Sequence, residues 1–357
     1  MFSLTFIAAV VLAPWYGFVH GYDTFEWVML AVILFFNGTA ITAGYHRLWA
    51  HKTYQAHPAL RIWFALWGAM AIQNSIIHWA SDHRRHHRHV DDYHKDPYSA
   101  RRGFWFSHIG WMLRHYDQEH KDLANIDDLR KDPVVVWQHR YYLALVLLMN
   151  IGLPFVIGCL YGDIGGCLLL LGFVRLVLSH HCTFFINSLA HMWGKQPFTD
   201  RNTARDNGFL AFLTWGEGYH NFHHIFQSDY RNGVRWWQFD PTKWLIFCCA
   251  KMRLAEKLKR TCPFRIEKAK IDMQFKRAGQ SLTCDTALAL LDEQYHALIK
   301  AMRDWSSFRQ QWLEGKAEEL KTQWQSFDLQ THCQELTLAL EEQKQRWRLA
   351  LSGSLAR

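Results

Sequence analysis

Four apolar stretches, each near the ~20 residues a helix needs to cross a bilayer, constrain this chain more than any other feature. They run from Phe2 to Val19, Phe25 to Tyr45, Tyr141 to Tyr161 and Ile164 to Asn187. Lipid offers no partner for backbone polar groups, so such stretches read as helices. No basic residue precedes the first stretch, it carries no clear small-residue cleavage site, and a second apolar stretch follows at once. It is therefore expected to remain as a span rather than be removed as a signal peptide. The connectors Gly21-Tyr22-Asp23-Thr24 and Gly162-Asp163 are too short for anything but two helical hairpins.

Charge then orients the hairpins. Neither Lys nor Arg occurs from Met1 to His46, whereas Arg47 to Arg140 carries fourteen, and the chain after Asn187 is also basic. Basic segments stay on the cytoplasmic side, so both termini and both large polar segments are expected there. The further apolar stretch Leu60–Ile77 would break this arrangement as a full span; it is expected as a helix lying in or dipping into the cytoplasmic leaflet. Arg175 falls halfway along the fourth span. An arginine at such depth faces the bundle interior, unless the helix outruns the bilayer and lifts it to the surface.

Composition closes off other classes. Half of the 357 residues are apolar and 18 are Trp, which excludes disorder, a collagen-like repeat and a small disulfide scaffold. The eight cysteines form no CxxC pair, so they read as reduced structural residues. A net charge of +8 suits an anionic partner. Its basic residues follow the membrane topology, so lipid headgroups or a phosphate-bearing substrate are expected rather than nucleic acid.

The 22 histidines are clustered. His46 and His51 flank the end of the second span. His83-Arg-Arg-His86-His87 and His220-Asn-Phe-His223-His224 repeat one HxxHH spacing, whose three imidazoles project within about 60° of one helical direction. Asn187 and His191 stand at i, i+4 after the fourth span. Nine imidazoles exceed what one six-coordinate ion accepts, so two metals are the economical reading. Imidazole suits Fe, Zn, Cu or Ni, and zinc alone has no redox chemistry. A pair of irons here would put dioxygen chemistry beside a lipid chain. His57, His120, His139, His296 and His332 read as inert surface residues; His89, His94, His180 and His181 lie near a box without belonging to one.

The motifs Gly44-Tyr45-His46-Arg47-Leu48-Trp49, Trp79-Ala80-Ser81-Asp82-His83-Arg84, Arg101-Arg102-Gly103-Phe104, Asn187-Ser188-Leu189-Ala190-His191 and Gly216-Glu217-Gly218-Tyr219-His220-Asn221 complete the picture. With them, residues 1–245 resemble the integral-membrane acyl-CoA desaturases of the stearoyl-CoA 9-desaturase type. The resemblance implies an all-α membrane protein: four transmembrane helices in two hairpins under a cytosolic helical cap that holds a di-iron site. It implies as ligands His46, His51, His83, His86, His87, His191, His220, His223 and His224, with Asn187 holding a water. It places Gln73, Trp79 and Thr183 at the bend of the acyl chain, and Asn74 and Asp82 at the CoA moiety. Two departures leave phospholipid-linked or carrier-protein-linked chains open: Ser81 stands where the animal enzymes have Arg, and only Arg114-His115 follows Gly110-Trp111.

The expected reaction introduces a cis double bond, at carbon 9 by the resemblance, into a saturated acyl chain, using O2 and two electrons. Arg101, Arg102 and Arg114 are expected to help bind an anionic headgroup. His57-Pro58-Ala59 does not complete a His-Pro-Gly-Gly haem motif, so a separate electron donor protein is expected. A lipid hydroxylase on the same metal site and a non-catalytic metal-binding membrane scaffold remain as alternatives.

After Trp244–Met252, a short apolar run fit for an interfacial helix, the composition turns to Lys, Arg, Glu and Gln. Leu288, Leu291, Tyr295, Leu298, Met302 and Trp305 follow spacings of three and four, and Leu320, Trp324 and Phe327 resume them. A desaturase domain over 1–265 and a coiled-coil-like helical extension over 266–357 are therefore expected. The stripe should be packed away, in a helical hairpin folded on itself or on the cap.

Overall fold

A computed structural model describes residues 2–113, 123–313 and 326–355. Four helices are long and apolar enough to cross a membrane: α1 (Phe2–His20), α2 (Thr24–Ala50), α6 (Tyr142–Tyr161) and α7 (Ile164–Met192). Between α2 and α6 come α3 (Pro58–Ala69), α4 (Ile76–His89) and α5 (Pro133–Arg140); after α7 come α8 (Gly208–Leu213), α9 (His220–Ile225) and α10 (Pro241–Lys251). Sheet is confined, among the described residues, to β1 (Gln55–Ala56) paired antiparallel with β2 (Ala255–Glu256). The chain is an integral membrane protein of helical fold.

Helix starts follow local chemistry. Asp132 and Asp240 cap α5 and α10 ahead of a proline at the first helical position. Asp23 and Glu26 form a reciprocal capping box on α2. The two hairpins are clamped together at their connector ends: the Tyr16 hydroxyl donates to Asp163 Oδ1 at 2.6 Å, and Tyr161 donates to Asp23. Outward positions such as Phe18, Leu143 and Leu160 are exposed, as positions facing lipid must be.

Spans two and four run further than their hydropathy predicts, to Ala50 and Met192 rather than Tyr45 and Asn187. In both, the extension carries histidines. The stretch Leu60–Ile77 is not the single helix expected. α3 stops at Ala69, the chain reverses over 70–75, and α4 starts at Ile76. Ile72 (φ 51°) and Asn74 (φ 78°) take left-handed backbone in this reversal, which costs of order 1–3 kcal/mol for a non-glycine residue. Gly44 and Gly68 let α3 lie tight on α2: a Cβ on the first would meet the Phe64 Cβ at 2.7 Å, and one on the second the Tyr45 ring at 2.2 Å.

Arg175 faces the bundle interior and is fully buried. Its guanidinium donates to the Met70 carbonyl at 2.8 Å and to the side-chain oxygens of Asn37 and Asn150. The surface alternative for this residue is set aside.

The chain divides into two compact units, one of residues 1–196 and 201–260, the other of residues 197–200 and 261–357. The second contains α11 (Pro263–Ser281), α12 (Asp285–Leu313) and α13 (Ser326–Leu355). Leu291, Leu298 and Met302 of the predicted stripe are buried with Ile271, Leu340 and Trp347, and Tyr295 and Trp305 pack at the margin. Three helices rather than two thus cover the stripe. Leu320 and Trp324 lie outside the described residues.

Candidate metal centre

The end of α2 leaves α-helical geometry. Ala40–Ala50 is a π-helix, and His51 N donates to His46 O at 3.0 Å, an i to i+5 bond. Five residues then make about one turn, so His46 and His51 share a face instead of diverging by the ~140° of an ideal α-helix. Their ring centroids lie 4.8 Å apart. α7 breaks at Ser188 before a last turn, Leu189–Met192, that presents His191. α9 is only six residues long; Asp206 holds its Phe222 N–H, and Asn221 donates to the Ala204 carbonyl at 2.9 Å.

These elements bring the nine predicted histidines into two groups, each with ring nitrogens within 4.8 Å of one another: His46, His51, His83, His87 and His223, and His86, His191, His220 and His224. Each HxxHH box is divided between the two groups. On α4 the i, i+4 pair His83 and His87 joins the first group and His86 the second; on α9 His220 and His224 join the second and His223 the first. Successive residues turn by about 100°, so i and i+4 diverge by about 40° while i+3 points elsewhere.

The nitrogens meet through their Nε2 atoms. His51–His83, His46–His223 and His87–His223 are 2.8, 3.0 and 3.0 Å apart, and His191–His220 and His220–His224 are both 3.1 Å apart. Ligands at the ~2.1 Å typical of metal–imidazole bonds span about 3.0 Å along an octahedral edge, so these separations fit donors around an ion. Burial, then repulsion from neighbouring imidazoles, holds His51, His83, His87, His220, His223 and His224 well below the usual histidine range. Neutral imidazole is the form that offers a lone pair.

The opposite ring nitrogens of four of these histidines have partners. His46 Nδ1 lies 2.9 Å from Glu217, His86 Nδ1 2.9 Å from Asp96, and His83 Nδ1 3.3 Å from the Tyr98 hydroxyl. His191 Nδ1 meets the Thr203 hydroxyl at 2.9 Å, and that hydroxyl donates to Asp91 at 2.6 Å, so it accepts from the imidazole. A proton fixed on Nδ1 leaves Nε2 bare, and the His86 Nε2 is buried without a hydrogen-bond partner among the described residues. Glu217 is itself gripped by Arg47, which also reaches Asp240 and the Tyr230 carbonyl. Burial opposes its ionisation, yet His46 and Arg47 bring its carboxyl down to about 2. The histidine spacing gave no sign of Glu217, Asp96, Tyr98, Thr203 or Asp91. Arg47 and Glu217 do stand inside the quoted motifs, which is the one signal available.

A cavity of about 690 Å³ abuts the histidines, within the range of sites for small molecules. His46, His83, His220 and Glu217 line it together with Gln73, Asn74, Trp79, Asp82, Thr183 and Asn187. The Trp79 Nε1 donates to Gln73 Oε1 at 3.2 Å and Gln73 Nε2 to Thr183 Oγ1 at 2.9 Å, which fixes the orientation of the amide. Trp79 also stacks on His83, centroids 4.9 Å apart. Arg101 is exposed, and Arg102 lies over the Phe106 ring at 3.6 Å; neither lines the cavity. Arg114 lies outside the described residues. His180 bonds the Ala71 carbonyl and His181 bonds His108; with His89 and His94 they fall in neither group. His57 caps α3, and His139 bonds Ser75.

A family model for fatty acid desaturase matches residues 25–254, which include every histidine of both groups. The chain is 41% identical over 282 residues to acyl-CoA desaturase 1 of Saccharomyces cerevisiae, covering 78% of this chain and 55% of that protein. It therefore spans about half the length of the yeast relative. It is 36% identical to stearoyl-CoA desaturase 4 of Mus musculus over 78% of this chain and 79% of the mouse protein. With the sn-2 palmitoyl-lipid 9-desaturase of Nostoc sp. it shares 36% identity, over 74% of this chain and 90% of that protein. A family match that takes in both histidine groups, with relatives aligned over most of their own length, establishes that this chain belongs to the fatty acid desaturase family.

Proposed function

We propose that the chain introduces a cis double bond, at carbon 9, into a saturated acyl chain presented as its CoA thioester. It would use O2 and two electrons from a separate donor protein. The reading rests on one observation above others: two groups of histidines stand against a cavity that the fixed Gln73 amide also lines. The first group would hold one iron. The second, with four imidazoles, would hold the other, with Asn187 contributing through a water. Bound irons would supply the oxidant for unactivated C–H bonds, on which no acid or base has a handle. The protein's share is placement. Trp79, Gln73 and Thr183 turn the chain so that one methylene pair faces the histidines, and the buried walls keep water away. Asp96, Glu217 and Thr203 keep the protons on Nδ1.

Asn74 and Asp82, at the cavity edge, would meet the CoA moiety. Arg101, Arg102 and Arg114 would bind its phosphates, and the active site and both termini would face the cytoplasm. The yeast and mouse relatives are named for acyl-CoA, the Nostoc relative for a lipid-linked chain. Purified protein supplied with saturated acyl-CoA, dioxygen and reductant should therefore yield the unsaturated thioester. Conversion only after the chain enters phospholipid would refute the CoA assignment; an alcohol product would replace the desaturase reading by a hydroxylase, and no product at all by a scaffold.

A further inference from the structure

The reversal between α3 and α4 delivers Gln73 into the cavity, and it does so through a backbone that resists the shape. Ile72 is β-branched and left-handed, and Asn74 is left-handed as well; such conformations persist only where the surroundings over-determine them. The C-terminal end of α3 also leaves carbonyls without intrahelical partners. Met70 belongs to an apolar cluster with Leu30, Ile33, Met149, Leu170 and Leu171 of the spans, so no bulk water stands by to satisfy them.

Three polar side chains from the spans do so instead. Asn37 Nδ2 donates to the Trp67 carbonyl at 2.8 Å, Arg175 Nη1 to the Met70 carbonyl at 2.8 Å, and His180 Nε2 to the Ala71 carbonyl at 2.8 Å. Ser179 donates to Asn37 Oδ1 at 2.7 Å and steadies that amide. Arg175 is a fully buried cation at membrane depth. Its hydrogen-bond partners among the described residues are the Leu171 and Met70 carbonyls, Asn37 and Asn150, with no carboxylate. The negative end of the α3 dipole takes that place.

We propose that Arg175, with Asn37 and His180, is a positioning residue: it clamps the end of α3 so that the strained turn holds Gln73 at one height in the cavity, and thereby sets which methylene pair is presented for reaction. The link from turn to product rests on the desaturase reading; the clamp itself does not. The guanidinium bonds no member of either histidine group and reaches the turn through the Met70 carbonyl. Loosening it lets Gln73 shift along the chain, and one methylene of shift is a different double-bond position.

The test uses the full chain in lipid nanodiscs and compares wild type with Arg175→Gln, Arg175→Lys and Asn37→Leu. In Arg175→Gln and Asn37→Leu, amide exchange over residues 70–76 should rise about tenfold. The share of product with a displaced double bond should rise about threefold or more, beyond any fall in yield. Arg175→Lys, which can still reach the Met70 carbonyl, should restore most of the wild-type position. Should Arg175→Gln fail to accumulate, Asn37→Leu decides. Folded variants with unchanged exchange and unchanged double-bond position overturn the proposal, whatever their turnover. Faster exchange with an unchanged position overturns its second half. If the wild type makes no unsaturated product, the desaturase reading falls, and exchange alone decides whether the clamp exists.

Discussion

The two histidine groups are built to one plan with one difference. Each takes residues from α4, from α9 and from the end of one span: α2 for the first group, α7 for the second. Each has one imidazole backed by a carboxylate, His46 by Glu217 and His86 by Asp96. The difference lies in the spans. α2 stays continuous and tightens into π geometry, so it delivers two histidines; α7 breaks at Ser188 and delivers one. The first group is therefore anchored on a packed helix, and the second leans on a loop through Thr203 and Asp91. Similar clusters, five imidazoles against four, rest on unequal mechanical support.

The largest effect that could break this comparison comes from the histidines themselves. His223→Ala and His86→Ala should each abolish formation of unsaturated chains, while each leaves the other group intact. Metal analysis should find about one ion retained per chain in both variants. Normal product yield in either would remove the assignment, and loss of all metal from only one of them would show that the groups are not independent.

Next are the supporting carboxylates. Loss of such a partner typically costs 10–100-fold in metal affinity or activity. Asp96→Asn should weaken only the second site by about that much. Glu217→Gln should do the same to the first and also destabilise the protein, because it strips a partner from the buried Arg47; breaking such a pair costs about 3–5 kcal/mol. Thermal unfolding of the two variants separates the cases, and equal losses of stability would erase the claimed asymmetry of support.

A smaller change is expected at Asn187. Asn187→Leu should lower activity by about tenfold and leave the first site's metal occupancy as in wild type. Full activity would mean that four imidazoles suffice.

Much of this arrangement could be read from residue types and spacing, because lipid imposes helices and imidazole is a scarce, specific ligand. The spans were legible to within a few residues at their connector ends, where Asp23 and Asp163 cap the following helix. The far ends were not, because hydropathy falls once Arg47 and His180 appear, although the backbone continues as helix. The two boxes were legible as sites but not as shared between sites, since treating i, i+3 and i+4 as one face discards the 100° between i+3 and i+4. Asp96 and Thr203 reach their histidines through loop paths that no periodicity describes. The reversal at 70–75 was hidden for a different reason: its carbonyls are satisfied by Asn37, Arg175 and His180 from other parts of the chain.

Acid should test the support of α4 more gently. Asp128 joins Arg84, next to His83, and Lys52 at 2.7 and 2.8 Å. Burial opposes it, but those two cations hold its carboxyl far below the usual aspartate range. A depressed folded pKa means that this contribution is complete above the unfolded value of about 3.9 and fades as pH falls below it. Asp128→Asn should accordingly lower the melting temperature at pH 7 and flatten its decline between about pH 4 and 2. An equal slope in wild type and variant would show that the pair is silent. Smallest of all should be the effect of ending the chain after Arg265, which leaves every histidine of both groups in place. Bound metal should match the full chain, and loss of either ion would make the C-terminal helices part of the catalytic fold.

The π-helical end of α2 also sets a rule for how this protein can change. His46 and His51 share a face only because the helix there holds one residue more per turn than its α-helical beginning. Deleting any one residue between them would let the segment relax to an α-helix, with the two imidazoles one turn apart and still neighbours. Because five residues of π-helix and about four of α-helix each make about one turn, such a deletion would leave Thr53, Tyr54 and β1 close to where they stand. An insertion would find no such relief and would turn everything beyond it by about 100° relative to the span. Along the end of α2, lineages should therefore bear the loss of one residue better than the gain of one, while Gly44, His46 and Arg47 stay fixed by the contacts they make.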